Sequence, residues 1–323
     1  MVADALSDVL KTVRLTGAAF FDVVARAPWV AEQPPRDVIL PKVLPGAAHL
    51  ISYHVIIEGS CFSNIIGEPP VRLEAGDVVV FTRGDPHVVS SGPGMRAVAG
   101  TVHPIDDVEA ASPLPFPVNL GGGDGPIATR MVCGFLACDM QPFNPLLENL
   151  PRVIQAGERD GKGGRWLREF VRLAVDESAD RRAGGASVLA KLSELMFIEV
   201  VRRYLEAQPP ERCGWLAGLR DPFVGKALSL MHGAPARDWT IEILARDVGL
   251  SRSVLAERFA GLVGMPPIQY LAKWRMQVAA GLLSRGSANI AAVAAEIGYG
   301  SEAAFSRAFK KLVGVPPSAW RRH

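Results

Sequence analysis

Residues 251–267 read SRSVLAERFAGLVGMPP and residues 301–317 read SEAAFSRAFKKLVGVPP, so the chain repeats itself at an offset of 50 residues. Leu255 and Phe259 align with Phe305 and Phe309, and Leu262, Val263, Gly264, Pro266 and Pro267 align with Leu312, Val313, Gly314, Pro316 and Pro317. Apolar positions four apart describe a helix with one buried stripe, and the shared Gly-x-Pro-Pro stops it, because proline cannot continue a helix. A short amphipathic stretch and a glycine turn precede each copy. In the first, Thr240 stands where an N-cap belongs, Ile243, Leu244 and Val248 recur at helical spacing, and Gly249 can take the left-handed backbone that ends a helix. Ser251 caps the helix that follows. In the second, Ile290, Val293, Ala294 and Ile297 form the stripe, Gly298-Tyr299-Gly300 the turn and Ser301 the cap. Helix, tight turn and capped second helix together make a helix-turn-helix.

Residues 267–285 between the units predict one long helix, with Ile268, Leu271, Trp274, Val278 and Leu282 as its apolar stripe and Lys273 and Arg275 off it. A rigid connector of this kind holds two recognition helices a fixed distance apart, so both can enter successive major grooves on one face of DNA. The charge agrees. From Trp215 onward there are 14 Lys/Arg against 7 Asp/Glu, which leaves 21 against 26 for the rest, so a basic module follows an acidic one.

The stretch Ala291-Ala292-Val293-Ala294-Ala295-Glu296-Ile297-Gly298-Tyr299, followed by Ser301-Glu302-Ala303-Ala304-Phe305-Ser306-Arg307-Ala308-Phe309-Lys310, resembles the AraC/XylS family of regulators. The resemblance runs over residues 221–322 and includes the connecting helix and the terminal Pro-Pro. It implies a DNA-binding transcription regulator rather than an enzyme.

With the core positions fixed by the repeat, the opposite face of each second helix remains for DNA. That face carries Ser251, Arg252, Ser253, Ala256 and Glu257 in the first unit and Ser301, Glu302, Ala303, Ser306, Arg307, Lys310 and Lys311 in the second. Arg252 and Arg307 are the candidates for base edges or phosphate, since a guanidinium pairs bidentately with guanine. Lys310, Lys311, Arg321 and Arg322 read as phosphate contacts. Glu257 departs from the basic or amide residue more usual in the family near there, and either accepts from cytosine or pairs with an arginine.

Upstream, short β-type runs at 49–57, 71–73, 78–82, 87–90, 96–101 and 129–137 are broken by Gly and Pro, which predicts a β-barrel or jelly roll. Residues 76–87, reading GDVVVFTRGDPH, resemble the second cupin motif, with Thr82 where proline is usual. Gly46, Ser52, His54 and Glu58 fall at the spacing of the first motif, with Ser52 in place of its first histidine. The resemblance implies a cupin-like sensor with an effector pocket around Ser52, His54, Glu58 and His87. One cupin metal ligand is lost, which argues against a metal. If one binds, His54, Glu58 and His87 can still hold zinc or iron, and Cys133 or Cys138 could complete a zinc site, so His54, His87, Cys133 and Cys138 are the candidate ligands for zinc. Cys133 and Cys138 are five apart and face opposite sides of a regular strand; a bend at Gly134 could bring them together.

Residues 145–205 read as helical, and Leu189, Leu192, Met196, Val200 and Tyr204 form a stripe. In the family this region supplies dimer contacts. The expected organisation is a two-domain α+β chain: a cupin-like barrel over 1–140, a helical dimerisation region over 141–207, a linker over 208–220 and an all-α double helix-turn-helix domain over 221–323. The expected partners are double-stranded DNA, a small effector and a second copy of the chain. Residues 1–13 lack the pattern of a signal peptide, no stretch is long and apolar enough to span a bilayer, and four cysteines are too sparse for a disulfide framework, so a cytoplasmic location is expected. Residues 157–164 imitate a phosphate loop but lack the Ser/Thr after Lys162, and residues 121–125 read as a hairpin turn. Two rival readings stand beside the regulator: a metal or redox sensor triggered at His54, His87, Cys133 and Cys138, and a metal-dependent cupin enzyme fused to a DNA-binding tail.

Overall fold

One 17-residue strand, buried on both faces in its first half and on alternate residues at its end, organises the first of two structural units. The structure is a computed structural model and describes residues 4–13, 15–97, 116–122, 125–138, 142–157, 169–170, 172–177, 183–209, 214–284 and 289–321. The unit comprises Leu15–Cys138 and Pro151–Ala207. Its strands are β1 (Thr16–Ala25), β2 (Val30–Gln33), β3 (His49–Ile65), β4 (Val71–Glu74), β5 (Val78–Phe81), β6 (His87–Ser90), β7 (Phe116–Leu120), β8 (Thr129–Cys138) and β9 (Val153–Ala156). The first part of β3 pairs with β5 and β8, and its last residues pair with β4 and β6, so one strand belongs to two sheets that fold over a common core. Beyond β8 lie β1 and then β7, which joins β1 in parallel. The result is a half-barrel around Phe21, Trp29, Ile56, Phe81, Met131 and Phe135.

Strand β9 is a correction to the helical reading of residues 145–205. Its four residues pair with β5, and Ile154 and Ala156 point into the core. Of the predicted run 96–101, residues 98–101 lie outside the described residues, as do residues 158–164 of the imitated phosphate loop, residues 123–124 of the predicted hairpin turn, residues 210–213, which include Cys213, and Arg322.

The unit also holds α2 (Arg36–Val43), a helical stretch over 172–177 and the 23-residue α4 (Gly185–Ala207), the last packed against β1 and β9. Glycine sets the close approach, since a Cβ on Gly17 would stand 2.6 Å from the carbonyl oxygen of Ala190. Tyr53 crosses from β3 to hydrogen-bond Ser193 on α4 at 2.6 Å. A Cβ on Gly134 would overlap the Tyr53 hydroxyl, so this glycine makes room for the ring and stays within the ladder opposite Tyr53. It does not bend β8 to join the two cysteines.

The second unit gathers Met1–Arg14, Asp139–Leu150 and Gln208–His323. It contains α1 (Ala5–Thr12), α3 (Pro145–Asn149), α5 (Trp215–Arg220), α6 (Val224–Gly233), α7 (Ile241–Val248), α8 (Arg252–Val263), α9 (Pro267–Ser284), α10 (Ile290–Glu296), α11 (Glu302–Val313) and α12 (Pro317–Trp320). The sequence predicts a linker over 208–220 as the boundary, yet α1 and α3 group with the C-terminal helices. The reason is burial. Ala5, Val9 and Val13 of the amphipathic N-terminal segment are at most 2% exposed, and α1 packs on α6. Asn149 Oδ1 accepts from the backbone N–H of Trp215, and Gln277 Oε1 accepts from that of Phe143.

Helix α9 is buried on more than one side. Tyr270, Leu271 and Trp274 join the first helix-turn-helix, while Met276, Ala279, Ala280 and Leu283 join the second with Val293, Ala294, Ile297, Phe305 and Phe309. A connector gripped from two sides needs a wider apolar surface than one stripe, and Ile268, expected inside, is 41% exposed. A polar chain crosses this core: the Trp215 indole N–H donates to the Tyr270 hydroxyl at 2.8 Å, and that hydroxyl contacts His232 Nε2 at 2.8 Å. His232 stacks on Trp274 at 3.9 Å, and burial pulls its pKa down to about 3, so it rests neutral and accepts from Tyr270.

Candidate nucleic-acid interface and effector pocket

The two second helices are built alike. Gly249 ends α7 at φ 88°, Ser251 Oγ accepts from the Val254 N–H and starts α8, and Gly264 closes it at φ 79°. In the other copy Ser301 Oγ accepts from the Ala304 N–H and Gly314 closes α11 at φ 93°. Leu255, Phe259, Phe305 and Phe309 are fully buried, which fixes the rotation of both helices about their axes. Ser253 and Glu257 on α8, and Ala303, Arg307, Lys310 and Lys311 on α11, are exposed on the faces turned away from the core, with Ala256 and Ser306 half-buried beside them.

The same rotation presents different chemistry. By the 50-residue equivalence Glu257 stands for Arg307, and Ala260 and Gly261 stand for Lys310 and Lys311. The cations that α8 does carry are engaged: Arg252 pairs with Glu242 at 3.2 Å, and Arg258 holds Asp221 at 2.6 Å. Asp221 in turn accepts from the N–H groups of Phe223 and Val224 at the start of α6, so its carboxylate is held below the usual range by Arg258 and these donors, against the opposing effect of burial. Arg307, Lys310 and Lys311 make no ion pair among the described residues. The unneutralised positive charge therefore lies on α11. Glu257 is not paired with either arginine of its own helix, since Arg252 goes to Glu242 and Arg258 to Asp221.

In the half-barrel, a partly open pocket, whose empty space of about 530 Å³ includes the solvent at its mouth, is lined by Phe21, Val23, Val89, Val118, Leu120, Met131 and Phe135, with Gln33, His54, His87 and Cys133 as its polar edge. The ladder explains the grouping: His54 lies opposite Cys133 on β8, and Gln33 lies opposite His87 on β6. His54 Nδ1 is 2.8 Å from Cys133 Sγ, and His54 Nε2 is 2.7 Å from His87 Nε2. His87 Nδ1 is 2.9 Å from the Asp85 carbonyl oxygen, and the His87 ring stacks on Phe81 at 3.6 Å.

His54 and His87 line this pocket, whereas Ser52 does not: it is buried, and the Gln33 amide donates to it at 2.7 Å. Glu58 is not with them. Four residues along a regular strand would return it to the His54 side, but the register shifts between Ile56 and Glu58, and that bulge turns Glu58 out to solvent. Cys138 is also elsewhere, opposite His49 at the far end of β8. Gln33 was missed. Its signal is faint: one of two polar side chains in a four-residue strand whose partner, β6, lies more than fifty residues on.

The arrangement does not fit zinc. Two nitrogens on one tetrahedral zinc, each at about 2.0–2.1 Å, would stand roughly 3.3 Å apart, whereas these are in hydrogen-bond contact. Cys133 meets the other nitrogen of His54, so the donors form a line and do not converge. Among the described residues no group of three His, Cys, Asp or Glu side chains is placed to hold a metal, and no disulfide is formed.

The sequence model of the cupin family matches residues 4–206, and that of a helix-turn-helix domain family matches residues 244–323. A protein of Streptomyces lividans bearing the name AraC-like transcription regulator is 32% identical, over 99% of this chain and 98% of its own length. A protein of the same name from Streptomyces antibioticus is 32% identical over 99% of both chains. The HTH-type transcriptional regulator AlkR of Acinetobacter baylyi is 27% identical over 99% of both chains.

Proposed function

This chain belongs to the AraC-like family of DNA-binding transcription regulators rather than to the cupin enzymes, and from that premise we propose how it works: α11 and α8 read a promoter, the half-barrel pocket takes a small uncharged effector, and two copies act together in the cytoplasm. The observation that carries the DNA reading is the doubled helix-turn-helix whose second recognition helix turns Arg307, Lys310 and Lys311 outward without an ion-pair partner among the described residues. Arg307 reads a base edge, the two lysines hold phosphates, and Ser251 and Ser301 offer their hydroxyl hydrogens to phosphate while capping. Arg252, Ser253, Ala256 and Glu257, with Glu302, Ala303 and Ser306, line the same faces and set what the grooves exclude.

The effector is uncharged because the pocket lining holds no carboxylate, lysine or arginine, and burying an ion against this apolar wall is costly. Ethyl pentyl ketone, with one carbonyl for the polar edge and an alkyl body for the wall, is a suitable probe. It should raise the unfolding temperature of the full chain in a saturable way, and Phe135→Asp should abolish the shift. An unchanged unfolding temperature for this and similar short ketones and alcohols would remove the effector reading.

Pairing of two copies is supported by α4, where Val188 and Leu195 are 43% and 52% exposed with Leu192 half-buried between them, a spacing that puts all three on one face. Sedimentation should give a dimer for the natural chain and a monomer for Leu195→Glu; a natural chain that sediments as a monomer at micromolar concentration contradicts it.

A further inference from the structure

The hydrogen bonds at the polar edge of the pocket have one consistent direction. A carbonyl oxygen can only accept, so His87 Nδ1 carries the hydrogen that meets Asp85. A neutral His87 then offers the lone pair of Nε2, so His54 Nε2–H donates to it, and His54 Nδ1 is left as the acceptor for the Cys133 thiol. The order is Cys133 S–H to His54, His54 to His87, and His87 to the Asp85 carbonyl. A thiol in contact with an imidazole that is oriented by a third group is the arrangement of an activated nucleophile. It is set at the edge of a partly open, mostly apolar pocket.

We propose that Cys133 is a covalent capture site for apolar α,β-unsaturated carbonyl compounds, with His54 as the base that takes the thiol proton and His87 as the residue that orients and stabilises His54. The proposal rests on the reading of this pocket as the effector site and names a class of effector. In the step, the sulfur lone pair forms a bond to the β-carbon as the carbon–carbon double bond gives its electrons to the enolate. The thiol proton moves to His54 Nδ1 and from there to the α-carbon, leaving a saturated thioether ketone and a neutral His54. Nothing is oxidised overall, no group leaves and no co-reactant is needed. Positive charge on His54 during the transfer is shared with His87 through the 2.7 Å contact, and the Asp85 carbonyl dipole faces the far side of that ring. Burial pushes the Cys133 thiol well above its usual pKa, so at rest the sulfur holds its proton, and only a molecule seated in the pocket meets the pair. Cys61 and Cys138 are also buried thiols, but neither lines this pocket.

The full chain in a Cys213→Ser background is treated with pentyl vinyl ketone and followed by intact mass and peptide mapping, with ethyl pentyl ketone as the saturated control. One adduct per chain is expected, on Cys133, at least tenfold faster than on Cys61 or Cys138. His54→Gln should slow it by about a hundredfold. The natural chain should react at a nearly constant rate from about pH 7 to about pH 9, whereas in His54→Gln the rate should climb about tenfold per pH unit as the thiolate forms unaided. A cooperative unfolding transition and a far-ultraviolet circular dichroism spectrum like those of the natural chain show that Cys133→Ser and His54→Gln both fold. Equal labelling of the three cysteines, a rate unchanged in His54→Gln, or one tightly held zinc per chain by elemental analysis would each overturn the proposal. If the saturated ketone stabilises the protein while Cys133 stays unmodified, only covalent capture falls; if neither ketone binds, the effector reading falls with it.

Discussion

Replacing Arg307 with alanine should weaken binding to the cognate promoter by about 1–3 kcal/mol, with a much smaller loss on random DNA, as expected for a side chain that pairs bidentately with a base. Lys311→Ala should lower affinity for all sequences alike and reduce the steepness of the salt dependence by about one unit of log-log slope. The contrast follows from where the side chains sit. Both are exposed on α11 with no carboxylate partner among the described residues, so neither must first break an ion pair to meet DNA. Arg252 on α8 already pairs with Glu242, and Arg252→Ala should cost less than Arg307→Ala. Competition binding with promoter and random duplexes measures all three. Equal losses on both duplexes for Arg307→Ala and Lys311→Ala would remove Arg307 from the reading set.

The second large effect lies far from the DNA-reading helices in sequence. Val9 is fully buried, and Val9→Asp would place a carboxyl group among apolar neighbours with no partner. A cost of about 3 kcal/mol or more is expected. Because α1 belongs to the unit that carries the helix-turn-helix pair, the loss should appear there. Trp215, Trp239, Trp274 and Trp320, four of the six tryptophans, lie in that unit and report it by fluorescence. Their transition should move to lower denaturant and promoter affinity should fall with it. Lys11→Asp, exposed on the same helix, should leave both nearly unchanged. Identical behaviour of the two variants would contradict the placement of α1. A fragment spanning residues 215–323, which looks self-contained from its sequence, lacks α1 and α3, and should be less stable than the same helices in the full chain.

These two cases mark what the sequence displays and what it hides. The helix-turn-helix pair is legible because each boundary has local chemistry: a Ser whose hydroxyl caps, a Gly at positive φ, a Pro-Pro stop, and apolar residues four apart. Comparing the two copies separates core from surface without coordinates. The role of α1 is not legible, because an eight-residue amphipathic helix says that it has a partner and not that the partner lies more than two hundred residues away. In the half-barrel, His54 and His87 are legible from motif spacing, but counting by twos along β3 assigns Glu58 to the pocket and misses the bulge that turns it out. Gln33 and the contact between His54 and Cys133 depend on register between distant strands, which no local pattern displays.

The account stands or falls on equilibrium binding of the full chain to promoter fragments from its own locus, titrated against random DNA across a range of salt. One fragment should bind about a thousandfold or more tighter than random duplex near physiological salt. Its affinity should fall steeply with added salt, by about 0.9 in log-log slope for each phosphate contacted. Failure to bind any fragment even at low ionic strength, or equal binding to all of them at every salt concentration, would contradict the central claim that this doubled helix-turn-helix reads a specific DNA sequence.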